Sequence, residues 1–137
     1  GHMALDFWNA GHIMAMSFND ATLLTCMSND RGYEQVFAEP IRRMAAKGDV
    51  LCAISSSGKS RNILNAVRAA KDKGCDVITL SGFEKNNPLR VLGFLNFYVP
   101  SSSYGIVEAA HLSLLSGILE EIMQTRQSSS RVIELPA

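Results

Sequence analysis

Five consecutive apolar residues, Val50-Leu51-Cys52-Ala53-Ile54, run directly into Ser55-Ser56-Ser57-Gly58-Lys59-Ser60. A strand without alternation has two apolar faces to cover, and a parallel sheet flanked by helices covers both. The sequence downstream fits that arrangement. Ser60 to Lys73 places Ile63, Val67 and Ala70 on one helical face, and Gly74 stands where a helix-ending glycine belongs. Val77-Ile78-Thr79-Leu80 is a second β-branched run, and Phe94 to Val99 reads as a third strand, closed by Pro100. Asn86-Asn87-Pro88 marks a loop between them, and Ser101-Ser102-Ser103 leads into a long helix from Tyr104 to about Gln127. Upstream, Ala21 to Met27 and Tyr33 to Ala46 read as helices, the second ending near Gly48, and Ile13-Met14-Ala15-Met16 as a short strand. The expected fold class is α/β, a three-layer αβα sandwich with a doubly wound parallel sheet.

A chain of 137 residues suits one domain with a buried core. Gly1-His2-Met3 is set aside as a scar of expression, residues 4–127 form the domain, and 128–137 form an arm. Val132-Ile133 in that arm is apolar enough to dock on a neighbour. Thirteen basic and thirteen acidic residues give zero formal charge. Duplex-binding domains carry a concentrated basic surface, so nucleic acid is not the expected ligand, and Arg42-Arg43 with Lys47 reads as a solvated helix face. No stretch approaches the roughly 20 apolar residues of a membrane span, and no secretory leader pattern is present, so a cytoplasmic location is expected. Cys26, Cys52 and Cys75 are odd in number and sit among apolar neighbours, which predicts core thiols in a reducing compartment. Without Cys-x-x-Cys or clustered His/Cys spacing, no structural metal site is expected.

The serine turn carries the chemistry. A helix that follows a buried strand presents unpaired amides and a partial positive charge at the carboxyl end of the sheet, where anions bind. Ser55, Ser57 and Ser60 add hydroxyl donors, Gly58 lets the backbone approach an anion, and Lys59 either adds charge or points to solvent. A plainer reading is a turn with Ser60 as helix cap. Four serines and a glycine at this junction favour a phosphate site. Gly58-Lys59-Ser60 also ends like a nucleotide P-loop, but the glycine needed five residues earlier is Ala53, which argues against nucleotide hydrolysis.

The long C-terminal helix holds the second signal. On a helical wheel Leu112, Leu115, Ile118, Leu119 and Ile122 share a face, and Glu108 and His111 fall on it three residues apart. A carboxylate there must meet a cation, a donor, a cavity or a ligand. A structural Glu108–His111 pair is one reading. The other is general acid–base catalysis beside a sugar carbonyl.

Taken together, Gly48 to Ser60, Ala66 to Gly74 and Val77-Ile78-Thr79-Leu80-Ser81-Gly82 resemble the SIS (sugar isomerase) domain, in its phosphoheptose isomerase branch. Ser28-Asn29-Asp30-Arg31-Gly32-Tyr33-Glu34-Gln35-Val36-Phe37 and the helix bearing Glu108 and His111 are similar to that branch too. The resemblance covers most of residues 11–125. It implies a dimer or tetramer with sites at subunit boundaries, phosphate held by Ser55, Ser56, Ser57 and Ser60, and Asp30 at a substrate position. Glu108 stands where relatives usually carry glutamine. The implied reaction interconverts sedoheptulose 7-phosphate and a heptose 7-phosphate through an enediol. Two departures are visible. The N-terminal helical segment, glycine-rich turn and catalytic glutamate of the isomerases have no match, which makes the domain N-terminally incomplete. Ser116 replaces a second histidine of the C-terminal helix, so the zinc ligands of relatives are largely missing and no cofactor is expected. Two functions follow: a phosphoheptose isomerase type of enzyme, or a non-catalytic sugar-phosphate-binding module with a regulatory or assembly role. Association is expected in either case, because the apolar helix and the missing first strand would leave surface exposed on a monomer.

Overall fold

In the computed structural model, described over residues 1–131, three parallel strands form one sheet in the order β1 (Val50–Ser55), β2 (Asp76–Ser81), β3 (Leu95–Tyr98). The α/β class and parallel sheet are those the apolar runs require. Register sets Ser55 beside Ser81 and Ser81 beside Tyr98, so three polar residues end one row at the carboxyl edge.

Residues Phe18–His111 form one compact unit. Its core lies between the sheet and two helices, α3 (Ala38–Met44) and α4 (Arg61–Asp72). Ala66, Val67, Ala69 and Ala70 of α4 are almost fully buried and cluster with Ala53, Val77, Leu89 and Ile41. Three alanines in one face let the helix approach the strands closely. Burying Val67 contributes about 2 kcal/mol. Strand alternation explains the rest of β1: Ala53 and Ser55 point into this core, while Val50, Cys52 and Ile54 point away and are exposed.

Residues Gly1–Ser17 and the part of α5 (Tyr104–Arg131) from Leu112 onward belong to a second unit. There α1 (His2–Asn9) meets α5 through Ser116, whose hydroxyl lies 3.9 Å from the Met3 sulfur. Arg126 donates to the Gly11 carbonyl, and Gly11 lies so near Leu119 that an added Cβ would come within 2.8 Å of its methyl.

Several elements depart from the sequence reading. Ile13–Met16 forms no strand; it has no ladder partner among the described residues, and Met14 is exposed. The helix expected over Tyr33–Ala46 is split into a 3₁₀ turn at Tyr33–Gln35 and the shorter α3. Pro40 explains the split: it lacks an N–H and is tolerated in the first turn, where α3 places it, but not in a helix interior. Helix α2 (Ala21–Arg31) runs a turn longer than expected, capped by the Asp20 carboxylate accepting from Leu23 N at 2.9 Å. Helix α5 continues past Gln127 to Arg131, so the first part of the expected arm is helical. Val132-Ile133 and the remaining arm lie outside the described residues. Of the three cysteines only Cys75 is buried, donating to the Ala46 carbonyl at 3.4 Å, with burial pushing its pKa up. Cys26 and Cys52 are exposed, which corrects the expectation of three core thiols.

Candidate functional site

The serine turn joins β1 to α4, and its hydroxyls are ordered by each other. Ser55, pointing inward at the end of β1, is buried and its Oγ donates to Ser60 Oγ at 3.0 Å. Ser60 occupies the N-cap of α4, but its side chain caps no amide. The plain capping reading therefore has the position right and the bond wrong. Ile63 N is taken by Asn62 Oδ1 at 2.9 Å. The amides of Arg61 and Asn62 have no intrahelical acceptor, as at any helix start, and give this turn its electropositive end. Ser56 and Ser57 are partly exposed, and Ser57 Oγ accepts from Lys59 N at 3.2 Å.

Gly58 makes the turn possible. Its φ is +64°, its N–H donates to Ser55 O at 2.9 Å, and its carbonyl accepts from Leu89 N at 3.1 Å. A Cβ here would lie 1.9 Å from Asn87 Oδ1. Asn87 is itself 1 % exposed, and Nδ2 donates to Ser81 Oγ (3.2 Å), Gly82 O (3.1 Å) and Glu84 O (2.8 Å), while Oδ1 accepts from Arg90 N (3.1 Å). Gly82 N in turn donates to Ser56 O at 2.9 Å. The turns after β1 and β2 are thus tied by two backbone bonds, Gly82 N to Ser56 O and Leu89 N to Gly58 O, while the buried Asn87 amide braces the second turn and packs against Gly58. The sequence reading placed Asn87 in a plain loop and missed this; the available signal was an asparagine directly before proline, the usual cap of a short helical turn, seen here at Pro88–Val91.

His111 joins the same edge of the sheet. It is 3 % exposed, and Nε2 lies 3.1 Å from Ser81 O, the residue in register with Ser55. A carbonyl only accepts, so Nε2 carries the hydrogen and Nδ1 is left as an acceptor. Among the described residues that buried Nδ1 has no hydrogen-bond partner. One turn earlier Val107 packs on Gly82, where a Cβ would come within 2.7 Å of both valine methyls. The start of α5 is therefore fixed against the end of β2.

Glu108 differs from expectation. The buried stripe on α5 is Val107, His111, Leu115 and Leu119, four residues apart, with Leu112 53 % exposed. That phase turns Glu108 outward, and no ion pair to His111 is present among the described residues. The costly buried carboxylate does not arise. Asp30 is exposed on α2, its carboxylate accepting from Asn29 Nδ2 at 2.9 Å with Cys26 Sγ at 3.7 Å. No hydrogen bond brings it to the serine turn. The structure therefore gathers Ser55, Ser56, Ser57, Gly58, Ser60 and His111 at one edge of the sheet, with Glu108 on the outer side of the His111 helix. Among the described residues no group of three His, Cys, Asp or Glu could hold a metal ion. Also among them, no helix is long and apolar enough to cross a membrane.

Known proteins resemble this chain in sequence and fold. Residues 8–82 match the SIS domain. The phosphoheptose isomerase of Histophilus somni (strain 2336) is 52% identical over 68 residues, covering 50% of this chain and 35% of that protein. That of Cytophaga hutchinsonii is 36% identical over 118 residues, 85% of this chain and 61% of its own length. Among solved structures, the phosphoheptose isomerase of Neisseria gonorrhoeae superimposes with a TM-score of 0.80 at 29% identity, over 88% of this chain and 67% of that one. The Francisella tularensis enzyme gives 0.72 at 28%, over 77% and 56%. The chain thus spans roughly a third to three-fifths of the length of the curated relatives it matches.

Proposed function

The chain belongs to the SIS domain family, and from that premise we propose that it binds a sugar phosphate at Ser55–Ser60 and is of the phosphoheptose isomerase type. The supporting observation is the turn itself. Four serines surround a left-handed glycine at the leading end of a 12-residue helix, and the cap hydroxyl is held by Ser55 instead of sealing the helix amides. Ser56 and Ser57 remain partly exposed and able to donate to phosphate oxygens. Similarity to phosphoheptose isomerases in sequence and fold points to a seven-carbon sugar as the body of the ligand.

In this reading the phosphate anchors sedoheptulose 7-phosphate with its carbonyl end toward α5. Glu108, exposed on α5, takes a proton from the carbon beside the carbonyl while the carbonyl oxygen gains one from water; the enediol forms, and the proton returns to the former carbonyl carbon as the neighbouring hydroxyl gives its own to water. His111, held by Ser81 O, is a positioning residue for the helix that carries Glu108. Asp30 belongs to the substrate site only if the sugar bridges it to the turn. The reading includes a cytoplasmic location and a homo-dimer or homo-tetramer, as for a family whose sites lie at subunit boundaries.

Calorimetric titration with sedoheptulose 7-phosphate tests the binding claim. A Ser57→Ala, Ser60→Ala double variant is expected to lose at least tenfold in affinity, about 1.4 kcal/mol, as one or two charge-assisted hydrogen bonds would. Unchanged affinity removes the serine turn from the function. Following the aldose by NMR tests catalysis, with turnover abolished in Glu108→Gln.

A second reading, a non-catalytic sugar-phosphate-binding module with a regulatory or assembly role, is favoured by one observation. The imidazole hydrogen of the most buried titratable group in the site is already committed to a backbone carbonyl, and no second imidazole stands at Ser116. Binding without turnover in the same assays selects it.

A further inference from the structure

The segment after β2 sets one negative charge against the serine turn. Glu84 lies 2.8 Å from Lys59 Nζ, with the two side chains 60% and 53% exposed. An exposed ion pair contributes little to stability, so this pair does not hold the segment in place. Buried and backbone bonds do. Asn87 Nδ2 donates to the Glu84 carbonyl at 2.8 Å, and Phe83 is bonded at both ends, its N–H to Ser101 O (2.9 Å) and its carbonyl to Tyr98 Oη (2.8 Å). Phe83 holds φ of +58° and packs edge-to-face on Tyr104 at 4.7 Å. The main chain of Glu84 is therefore fixed beside the turn whether or not Lys59 is its partner.

We propose that Glu84 is a specificity-determining residue of the anion site, restricting it to sugars whose phosphate is their only negative charge and disfavouring bisphosphates and phosphorylated sugar acids. The proposal rests on the sugar-phosphate reading above and adds what the site rejects. A phosphate entering the turn draws the Lys59 ammonium to itself. Glu84 then loses its counter-ion, and its pinned main chain keeps the carboxylate within side-chain reach of the turn. There the freed carboxylate meets whatever the ligand carries next to its phosphate. Hydroxyls of a neutral polyol can donate to it. A second phosphate or a carboxylate cannot, and is repelled at separations shorter than the Debye length of about 8 Å at physiological salt.

Titration of the full chain with sedoheptulose 7-phosphate and sedoheptulose 1,7-bisphosphate tests this. The wild type is expected to favour the monophosphate by about tenfold, and Glu84→Gln to narrow the ratio to about twofold with no change in melting temperature, since the side chain is exposed. Raising the salt to about 0.5 M should narrow the wild-type ratio and leave that of Glu84→Gln unchanged, a response that loop packing would not give. If Glu84→Gln keeps the wild-type preference, or the wild type shows none, the proposal is overturned. The Ser57→Ala, Ser60→Ala variant separates the two ideas. Loss of binding there with an unchanged ratio in Glu84→Gln overturns only the selectivity, whereas wild-type binding of both sugars by the serine variant, or no binding of either by the wild type, overturns the phosphate turn as well.

Discussion

Gly58 holds φ of +64° with Asn87 Oδ1 where a side chain would begin. Backbone preference and steric room therefore forbid the same change. Gly58→Ala is expected to cost about 2–3 kcal/mol in chemical denaturation, from strain in the left-handed region plus displacement of Asn87. Asn87→Ala should cost a similar amount, about 2–3 kcal/mol, by leaving the Gly82 and Glu84 carbonyls without their buried donor. A loss under about 0.5 kcal/mol in either variant would mean that the Asn87 amide neither braces the turn after β2 nor confines Gly58. The glycine was legible in the sequence, because serine-rich turns between strand and helix need it. Its partner was not: Asn87 is 29 positions away, and no local pattern says which loop an asparagine will enter.

At the scale of elements, α5 shows why residue type can be read where orientation cannot. Apolar residues occur on several sides of this helix, so a wheel gives more than one plausible stripe, and the one chosen put Glu108 inside. Packing selects another phase. Gly82 admits Val107, Ser81 O receives His111, and the buried positions then repeat every four residues through Leu115 and Leu119. A paired test follows from that phase. Val107→Ala is expected to destabilise by about 2 kcal/mol, whereas Leu112→Ala, exposed on the same helix, should change stability by less than about 0.5 kcal/mol. Equal effects would return the helix to the wheel's phase. Strands β1 and β2 were easier to read, since apolar runs ended by serine leave little choice, whereas Ile13–Met16, which has neither β-branched length nor a sheet neighbour among the described residues, was read as a strand and is none. Tyr33–Ala46 was harder because its apolar period continues across Pro40, and only the missing amide shows where a new helix must start.

For the whole molecule, the sheet sets the expectation of association. Parallel strands are normally buried on both faces, yet Val50 is 58% exposed, Ile54 42% and Leu95 42%, with Cys52 exposed between the first two. Register places Cys52 beside Ile78 and Ile78 beside Leu95, so these residues share a face and form one apolar surface, not scattered exceptions. A continuous apolar surface of this kind marks an interaction site, and the cover expected here is a second copy of the chain. Sedimentation equilibrium at micromolar concentration is expected to give a mass at least twice the 14.9 kDa of the chain. Ile54→Lys, which puts a charge at the centre of the surface without touching the buried face of β1, should shift the distribution toward monomer. The serine turn begins at the very next residue, so the same variant also asks whether assembly and ligand binding are linked. If the sites depend on a second subunit, affinity for sedoheptulose 7-phosphate should fall along with the mass. A wild-type chain that remains monomeric and still binds the sugar would show that this face needs no cover and that one copy completes the site.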